Sequence, residues 1–341
     1  VGQLSEPKAT TYPDQETFEG RIIYSARWSR EPVDFSGKRV AIIGTGASAV
    51  QVIPEIAPVV EHLTVFQRTP IWCFPKLDLP LPAAARWAMR VPGGKTLQRL
   101  ASQAYVELTF PLSAQYYSVF PLADGAARMG RSFLRREVHD PVVRDKLTPR
   151  YAVGCKRPGF HNTYLATYNR ENVSLVTESI ERITPTGVRT ADGQEHQVDV
   201  LILATGYEVF SDPETYRPGT ILGRNGFDLA TFYNAEGLQA YESVAVPGLP
   251  NRWTLCGPYS WTGSGWHAFV EMTADHAVRA ITETRRRGAQ ICEVRKDVAE
   301  AYHRKVYQRA GLLRYYLADL NGHVPTYYRN SQGDTTYIRP S

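Results

Sequence analysis

The chain has 341 residues, of which 43% are hydrophobic and 21% charged, enough to bury the core of two lobes or of one α/β domain with insertions. Its formal net charge of +5 is spread along the sequence, which argues against nucleic-acid binding, and no run reaches the roughly 18 apolar residues of a spanning helix. Cys73, Cys155, Cys256 and Cys292 are too far apart for a zinc-ligand or dithiol pair. With no signal-peptide pattern, a cytoplasmic protein is expected, without a nucleic-acid or membrane partner.

Val1 to Asp14 is polar and Pro-containing and reads as a connection, so the sequence is expected to begin inside a longer protein. Residues 1–36 then form a linker with one short strand, Arg21 to Ser25, among turn formers. The first lobe is expected at 37–208. It opens on Lys38-Arg-Val-Ala-Ile-Ile-Gly44-Thr45-Gly46-Ala47-Ser48-Ala49-Val-Gln51, a β-branched run ending in a glycine turn that opens into a helix. That is the arrangement of a dinucleotide-binding turn: Gly44 for the tight bend, Gly46 for close approach of a pyrophosphate, and small Ala49 for helix–strand packing. The phosphates would sit on the helix N-terminus. A second strand, Leu63 to Gln67, ends where NAD-binding chains place a carboxylate on the ribose. Here Gln67 is followed by Arg68, and a guanidinium suits a 2′-phosphate, so NADPH is the expected ligand.

After Thr69-Pro70, helical spacings such as Leu97, Leu100, Ala101, Ala104 and Tyr105 mark a helical insertion at about 72–147, expected to be a packing subdomain. Strand texture returns at Val173 to Val176, in a hairpin from Gly187 to Thr190 around Asp192-Gly193, and at Val198 to Leu203. The last of these is wholly apolar and ends in Ala204-Thr205-Gly206, as a buried parallel strand does where it delivers backbone to a ligand. In the third part, 209–341, Arg252 to Cys256 reads as a strand leading through Gly257-Pro258 to a helix from about His267 to Thr284. Arg285 to Arg287 suit the end of that helix. The Tyr-rich tail from Arg314 to Ser341 lacks helix periodicity. Trp72, Phe74, Tyr259, Trp261 and Trp266 read either as packing or as the lining of an apolar pocket.

In order and spacing these motifs resemble the flavin-dependent monooxygenases of the Baeyer-Villiger type and their flavin-containing monooxygenase relatives. Phe18-Glu-Gly20-Arg-Ile-Ile-Tyr24-Ser-Ala-Arg-Trp28 is similar to the family fingerprint Phe-x-Gly-x-x-x-His-x-x-x-Trp, and Gly44 to Gln51 to its NADPH turn. Phe66-Gln67-Arg68-Thr69-Pro70 resembles the stretch whose Arg and Thr meet the 2′-phosphate, and Gly154-Cys-Lys156-Arg157-Pro158 resembles the family's Lys-Arg pair. Ala204-Thr205-Gly206 resembles the linker that closes the NADPH lobe, and Gly257-Pro258 the turn that returns to the flavin.

The resemblance implies an α/β fold: a Rossmann-like NADPH-binding domain with a helical insertion, and the C-terminal part of a two-dinucleotide flavoprotein. It implies FAD and NADPH as cofactors, Lys156 as a second cation at the 2′-phosphate, Arg157 as the active-site residue, and Tyr315 as the aromatic closing over the nicotinamide. The implied reaction inserts one atom of O2 through a C4a-peroxyflavin, chiefly converting an apolar ketone to an ester or lactone. Sulfur or nitrogen oxygenation and a non-catalytic NADPH module are the alternatives. Three positions depart from the pattern: Tyr24 replaces the fingerprint histidine, Ser29 follows its tryptophan, and Ala49 replaces the third glycine. The family's first glycine turn, for FAD, does not occur in the sequence, and a separate or further segment is expected to carry it.

Overall fold

The runs Val40 to Ile43 and Val200 to Leu203 do not alternate with polar residues, and they form adjacent inner strands of a parallel sheet, buried on both faces. The computed structural model describes residues 4–8, 10–76, 78, 80–109, 115–117, 122–261, 266–335 and 338, the side chains of 105–109, 122 and 266 excepted. Its strands are β1 (Arg21–Tyr24), β2 (Arg39–Ile43), β3 (His62–Phe66), β4 (Cys73–Phe74), β5 (Gly159–Phe160), β6 (Val173–Val176), β7 (Ile180–Thr184), β8 (Gly187–Thr190), β9 (Glu195–Gln197) and β10 (Val200–Leu203). Its helices are α1 (Ala47–Ile56), α2 (Ala83–Ala88), α3 (Gly94–Thr109), α4 (Leu122–Glu137), α5 (Pro141–Lys146), α6 (Leu229–Glu236), α7 (Trp266–Arg286), α8 (Lys296–Arg309) and α9 (Gly311–Arg314).

The chain divides into two compact units, Val1–Asp78 with Gly125–Val209, and Leu79–Asp124 with Phe210–Ser341. Of the stretch from about 72 to 147, Leu79–Asp124 therefore groups with the C-terminal part and the remainder with the sheet.

The first unit is built on a five-stranded sheet in the order β1-β10-β2-β3-β6, every neighbour parallel. Val40, Ile42, Leu63, Val65, Val200 and Ile202 point to one face, where α1 covers them with Ala49, Val50, Ile53 and Ile56. Ala41, Ile43, Phe66, Leu201 and Leu203 point to the other, covered by Ile183 and Val188 of the antiparallel β7-β8-β9 sheet. From β2 the chain runs outward through β3 to β6, whereas β10 and β1 lie on the opposite side of β2. The order thus reverses between β2 and β10, and ligands bind at the carboxyl ends of strands at such a point. The linker strand expected at Arg21 to Ser25 is the edge strand β1.

In the second unit, Asp228 caps α6, accepting from the amides of Thr231 (2.7 Å) and Gly219 (2.7 Å). Tyr233 is buried and meets Tyr216 edge-on, and Trp261 packs against Tyr327 and Tyr328.

Three expectations are corrected. Arg252 to Cys256 forms no strand: Thr254 N donates to Val244 O and the following Gly257 N to Ser243 O, both in an irregular segment, and Cys256 has φ of 59°. An apolar run becomes a strand only where a neighbouring strand accepts its ladder. The tail from Arg314 continues α9 as a π-helical turn, Tyr315–Leu320, in which the successive residues Tyr316 and Leu317 are buried. Such a turn lies outside the α-helical period by which tails are read. The apolar face of α3 does not pack: Leu97 is 70% exposed and Leu100 62%.

At the amino end of the sheet, Asp199 ties β10 to β2. Its carboxylate accepts from the Arg39 amide (2.8 Å) and from Arg39 Nη2 (2.7 Å), while the Asp199 amide donates to the Arg39 carbonyl. These hydrogen bonds hold the Asp199 carboxyl below the usual carboxylate range. Because the native value is depressed, this contribution is present in full above the ordinary carboxylate value and is lost as pH falls through the native one. Asp199→Asn is expected to cost about 1 kcal/mol at pH 7, measured by urea unfolding, with the deficit disappearing in strong acid.

Candidate functional site

Three strand ends meet at the switch point, and the glycine turn allows them to do so. Gly44 has φ of 112°, and a Cβ there would lie 2.5 Å from the Ala204 carbonyl oxygen. The turn leaving β2 and the Ala204-Thr205-Gly206 turn leaving β10 are therefore pressed backbone to backbone, and the Ala204 amide donates to the Ile43 carbonyl (2.9 Å). Gly46 is different. Its φ is −75°, and a Cβ built on it would find nothing within 4 Å. The space over Gly46 is left open by the protein.

Gly46 is also the N-cap of α1, and no side chain caps that helix and no acidic residue stands in its first turn. The amides of Ala47, Ser48 and Ala49 are thus orphan donors at the positive end of a helix, the arrangement that holds a phosphate. Ala49 is fully buried against the sheet. Gln51 is exposed and its amide donates back to the Ala47 carbonyl (2.8 Å). Thr205 is half-buried, and Gly206 is exposed with φ of 94°.

Thr45 carries the turn across to β3, its buried hydroxyl donating to the Thr69 carbonyl (3.2 Å). Gln67, just past β3, points inward. It is 3% exposed, and its amide donates to the Lys146 carbonyl (2.8 Å), which leaves Arg68 as the exposed group at this strand end.

Lys156 and Arg157 reach the same edge because their segment is stitched to the one after β3. Trp72 Nε1 donates to the Tyr151 carbonyl (2.9 Å), the Tyr151 hydroxyl donates to the Pro70 carbonyl (3.0 Å), and β4 pairs with β5. Half-buried Lys156 lies over the Tyr151 ring, 5.7 Å from its centre. Burial, and then the nearby Arg68 charge, push its ammonium below the ordinary lysine value. Two cations so placed repel each other, and a bound dianion relieves both. Arg157, the next residue, is exposed.

Two aromatic residues of this edge carry no signal in the sequence. Tyr151 supports Lys156, and half-buried Tyr12 lies close enough to Arg68 for its phenol, pushed up by burial, to be drawn back down by that charge. Both roles arise from side-chain packing between segments distant in the chain.

Gly257, Pro258 and Tyr315 belong to the second unit. Gly257 and Pro258 are buried, and a Cβ on Gly257 would lie 2.6 Å from the Ser243 carbonyl, so packing alone accounts for that glycine. Tyr315 is 49% exposed and stacks on Tyr117, with ring centres 6.3 Å apart. Trp72, Phe74, Tyr259 and Trp261 are buried side chains, and residues 262–265 lie outside the described ones.

The chain is similar to known proteins. Residues 4–80 match the family model of flavin-binding monooxygenase-like proteins. A Baeyer-Villiger monooxygenase of Pseudomonas aeruginosa is 32% identical over 337 residues, covering 94% of this chain and 62% of the relative. One of Streptomyces coelicolor is 34% identical over 265 residues, covering 77% of this chain and 50% of the relative. The crystal structure of OTEMO with FAD and NADP superposes with a TM-score of 0.81 at 27% identity, covering 100% of this chain and 70% of that one. Steroid monooxygenase bound to NADP gives 0.80 at 28% identity, covering 96% and 67%. Over nearly its whole length the chain is similar to Baeyer-Villiger flavin monooxygenases. It spans 62% and 50% of the length of the two curated relatives.

The fingerprint segment that carries this similarity has a plain physical content here. Gly20 is required because a Cβ would lie 2.5 Å from the Asp199 carbonyl and against the Phe18 ring, which is itself buried. Trp28 packs on Phe35. Tyr24, in the histidine position, is 39% exposed and accepts a hydrogen bond from Gln15 Nε2 (2.9 Å).

The two turn glycines should separate experimentally. Gly44→Ala is expected to lower stability by about 2 kcal/mol or more, from the left-handed backbone and the collision with Ala204. Gly46→Ala is expected to leave the melting temperature nearly unchanged while weakening dinucleotide binding about tenfold or more, read by calorimetric titration with NADP.

Proposed function

We propose that this chain supplies the NADP(H) site and the active-site arginine of an NADPH- and FAD-dependent oxygenase that converts an apolar ketone to an ester or lactone. The observation that carries this reading is the pairing of Arg68 with Lys156 beside an uncapped helix N-terminus at the switch point. An open helix N-terminus suits the pyrophosphate, and two cations suit a further phosphate on the adenosine ribose, which NADPH has and NADH lacks. The open space over Gly46 fits a group lying on the backbone there. The named neighbours, OTEMO with FAD and NADP and steroid monooxygenase with NADP, support the same cofactors.

In this reading Gly44 to Ala49 with Gln51 hold the pyrophosphate, and Arg68, Thr69 and Lys156 hold the 2′-phosphate. Ala204, Thr205 and Gly206 close the dinucleotide-binding lobe, and by the family resemblance Gly257-Pro258 is the turn that returns to the flavin and Tyr315 the aromatic of the nicotinamide side. FAD, when bound, supplies the activation of O2 with electrons drawn from NADPH. The chain's own contribution to the chemistry is Arg157. A guanidinium can hold the ketone oxygen and stabilise the negative charge that develops on it as the carbonyl carbon is attacked. Removing such a donor costs oxyanion-hole enzymes roughly 10²–10³ in rate, and Arg157→Ala is expected to lose product oxygenation on that scale.

Arg68→Ala is expected to weaken NADPH binding by about ten- to a hundredfold and NADH binding less than twofold, read by titration of the purified protein; equal losses for both would remove the 2′-phosphate assignment. The same titration against pH tests Lys156. Because its ammonium is depressed, it loses charge sooner than an ordinary lysine as pH rises, so NADPH affinity should fall in the alkaline limb while NADH affinity does not. Arg68→Ala removes one cause of the depression and should move that limb to higher pH.

A further inference from the structure

The segment from residue 79 to 106 contains Arg86, Arg90, Lys95 and Arg99 and no carboxylate. It folds as α2, a turn at Pro92-Gly93-Gly94, and α3. The turn is tight: Gly93 has φ of 82°, and a Cβ on Gly94 would collide with the Ala88 carbonyl, so the end of α2 is pressed onto the start of α3. Large apolar side chains cover this hairpin and almost none of them is buried. Leu81 is 56% exposed, Trp87 68%, Val91 42%, Leu97 70% and Leu100 62%.

Leu97, Leu100, Ala101 and Ala104 stand at i, i+3, i+4 and i+7, the spacing of a helix face that normally meets a core. All four are exposed here. Soluble chains scatter single apolar residues over their surface, but a tryptophan, three leucines and a valine on one helical hairpin mark an interaction surface. The cations decide its kind. Arg99 forms an ion pair with Glu271, whereas Arg86, Arg90 and Lys95 are exposed and pair with no carboxylate among the described residues. Long basic side chains beside exposed Trp and Leu are the composition of a surface that lies in a lipid headgroup layer, with the stems in the apolar boundary and the charges on anionic headgroups. A spanning role is excluded for the described helices, none of which is long and apolar enough.

We propose that the α2–α3 hairpin docks this protein on an anionic membrane surface, with Trp87, Leu97 and Leu100 entering the interface and Arg86, Arg90 and Lys95 meeting phosphate headgroups. The claim does not depend on the reaction catalysed.

Sedimentation of the full chain with phosphatidylcholine vesicles, with and without one quarter phosphatidylglycerol, tests it. The protein is expected to pellet with the anionic vesicles and to be released by 0.5 M salt, where charges are screened over a few ångströms. R86E/R90E/K95E should lower partitioning by about a hundredfold or more, at about fivefold for each cation. W87S/L97S/L100S should lower it at least about tenfold. All six positions are exposed, so both variants should keep the circular dichroism spectrum of the parent. Failure to bind anionic vesicles, or equal binding by the parent and both variants, would overturn the proposal. So would a concentration-dependent dimer that L97S/L100S converts to monomer, because the occupant of the face would then be a second copy of the chain.

Discussion

The missing side chain at Gly44 is the constraint on which the rest of the site depends. With φ in the left-handed region and the Ala204 carbonyl 2.5 Å from where a Cβ would stand, β2 and β10 can finish side by side and turn away from each other in the space of one residue. A methyl group would force the two turns apart and rotate the first turn of α1, the helix end that no side chain caps. Because both sheet faces are fully packed, such a shift has no soft direction in which to relax. Gly46, two residues on, shares the motif but not the reason, since its space is empty of protein. One glycine serves the fold and the other leaves room for a ligand.

The electrostatics of this edge follow from that placement. Arg68 stands outward because Gln67 is turned into the core, where its amide holds the Lys146 carbonyl. Lys156 arrives from ninety residues further along, on a segment fixed by Trp72 and Tyr151. The result is two cations close together, one of them half-buried over an aromatic ring and held below its ordinary ammonium value. Such an arrangement costs stability without an anion and is the pattern expected of a binding site. The Tyr151 face offsets part of the cost by attracting the ammonium.

Much of this is legible in the amino-acid sequence. The β-branched runs, the glycine turn and the apolar strand ending at Ala204 occur where local pattern and global fold agree, and Arg68 is an exposed cation at the strand end where the sequence pattern puts it. What cannot be read there has identifiable causes. Strand parity does not say whether Gln67 or Arg68 faces outward, since β3 is buried on both faces. The stitching of 151–160 to 70–74 rests on side-chain to backbone bonds across some eighty residues. Arg252 to Cys256 has the composition of a strand, but its Thr254 amide donates to Val244 in an irregular segment. The α3 periodicity correctly marks a helix, yet periodicity identifies a face and not what covers it.

Tyr24 shows how a family resemblance changes meaning when it is reduced to physics. In the fingerprint segment, Gly20 and Phe18 clamp the chain against Asp199 at the start of β10, and β1 then runs along β10 with Tyr24 opposite Leu203, two residues before the Thr205 turn. The fingerprint is thus a splint that carries the linker to the carboxyl edge of the sheet. A histidine at its end would bring two ring nitrogens; Tyr24 brings a single phenol oxygen, which accepts a hydrogen bond from Gln15. This end of β1 contributes a hydrogen bond and strand pairing to the edge. The charge at this edge is supplied instead by Arg68 and Lys156, both on the opposite side of β2 from β1.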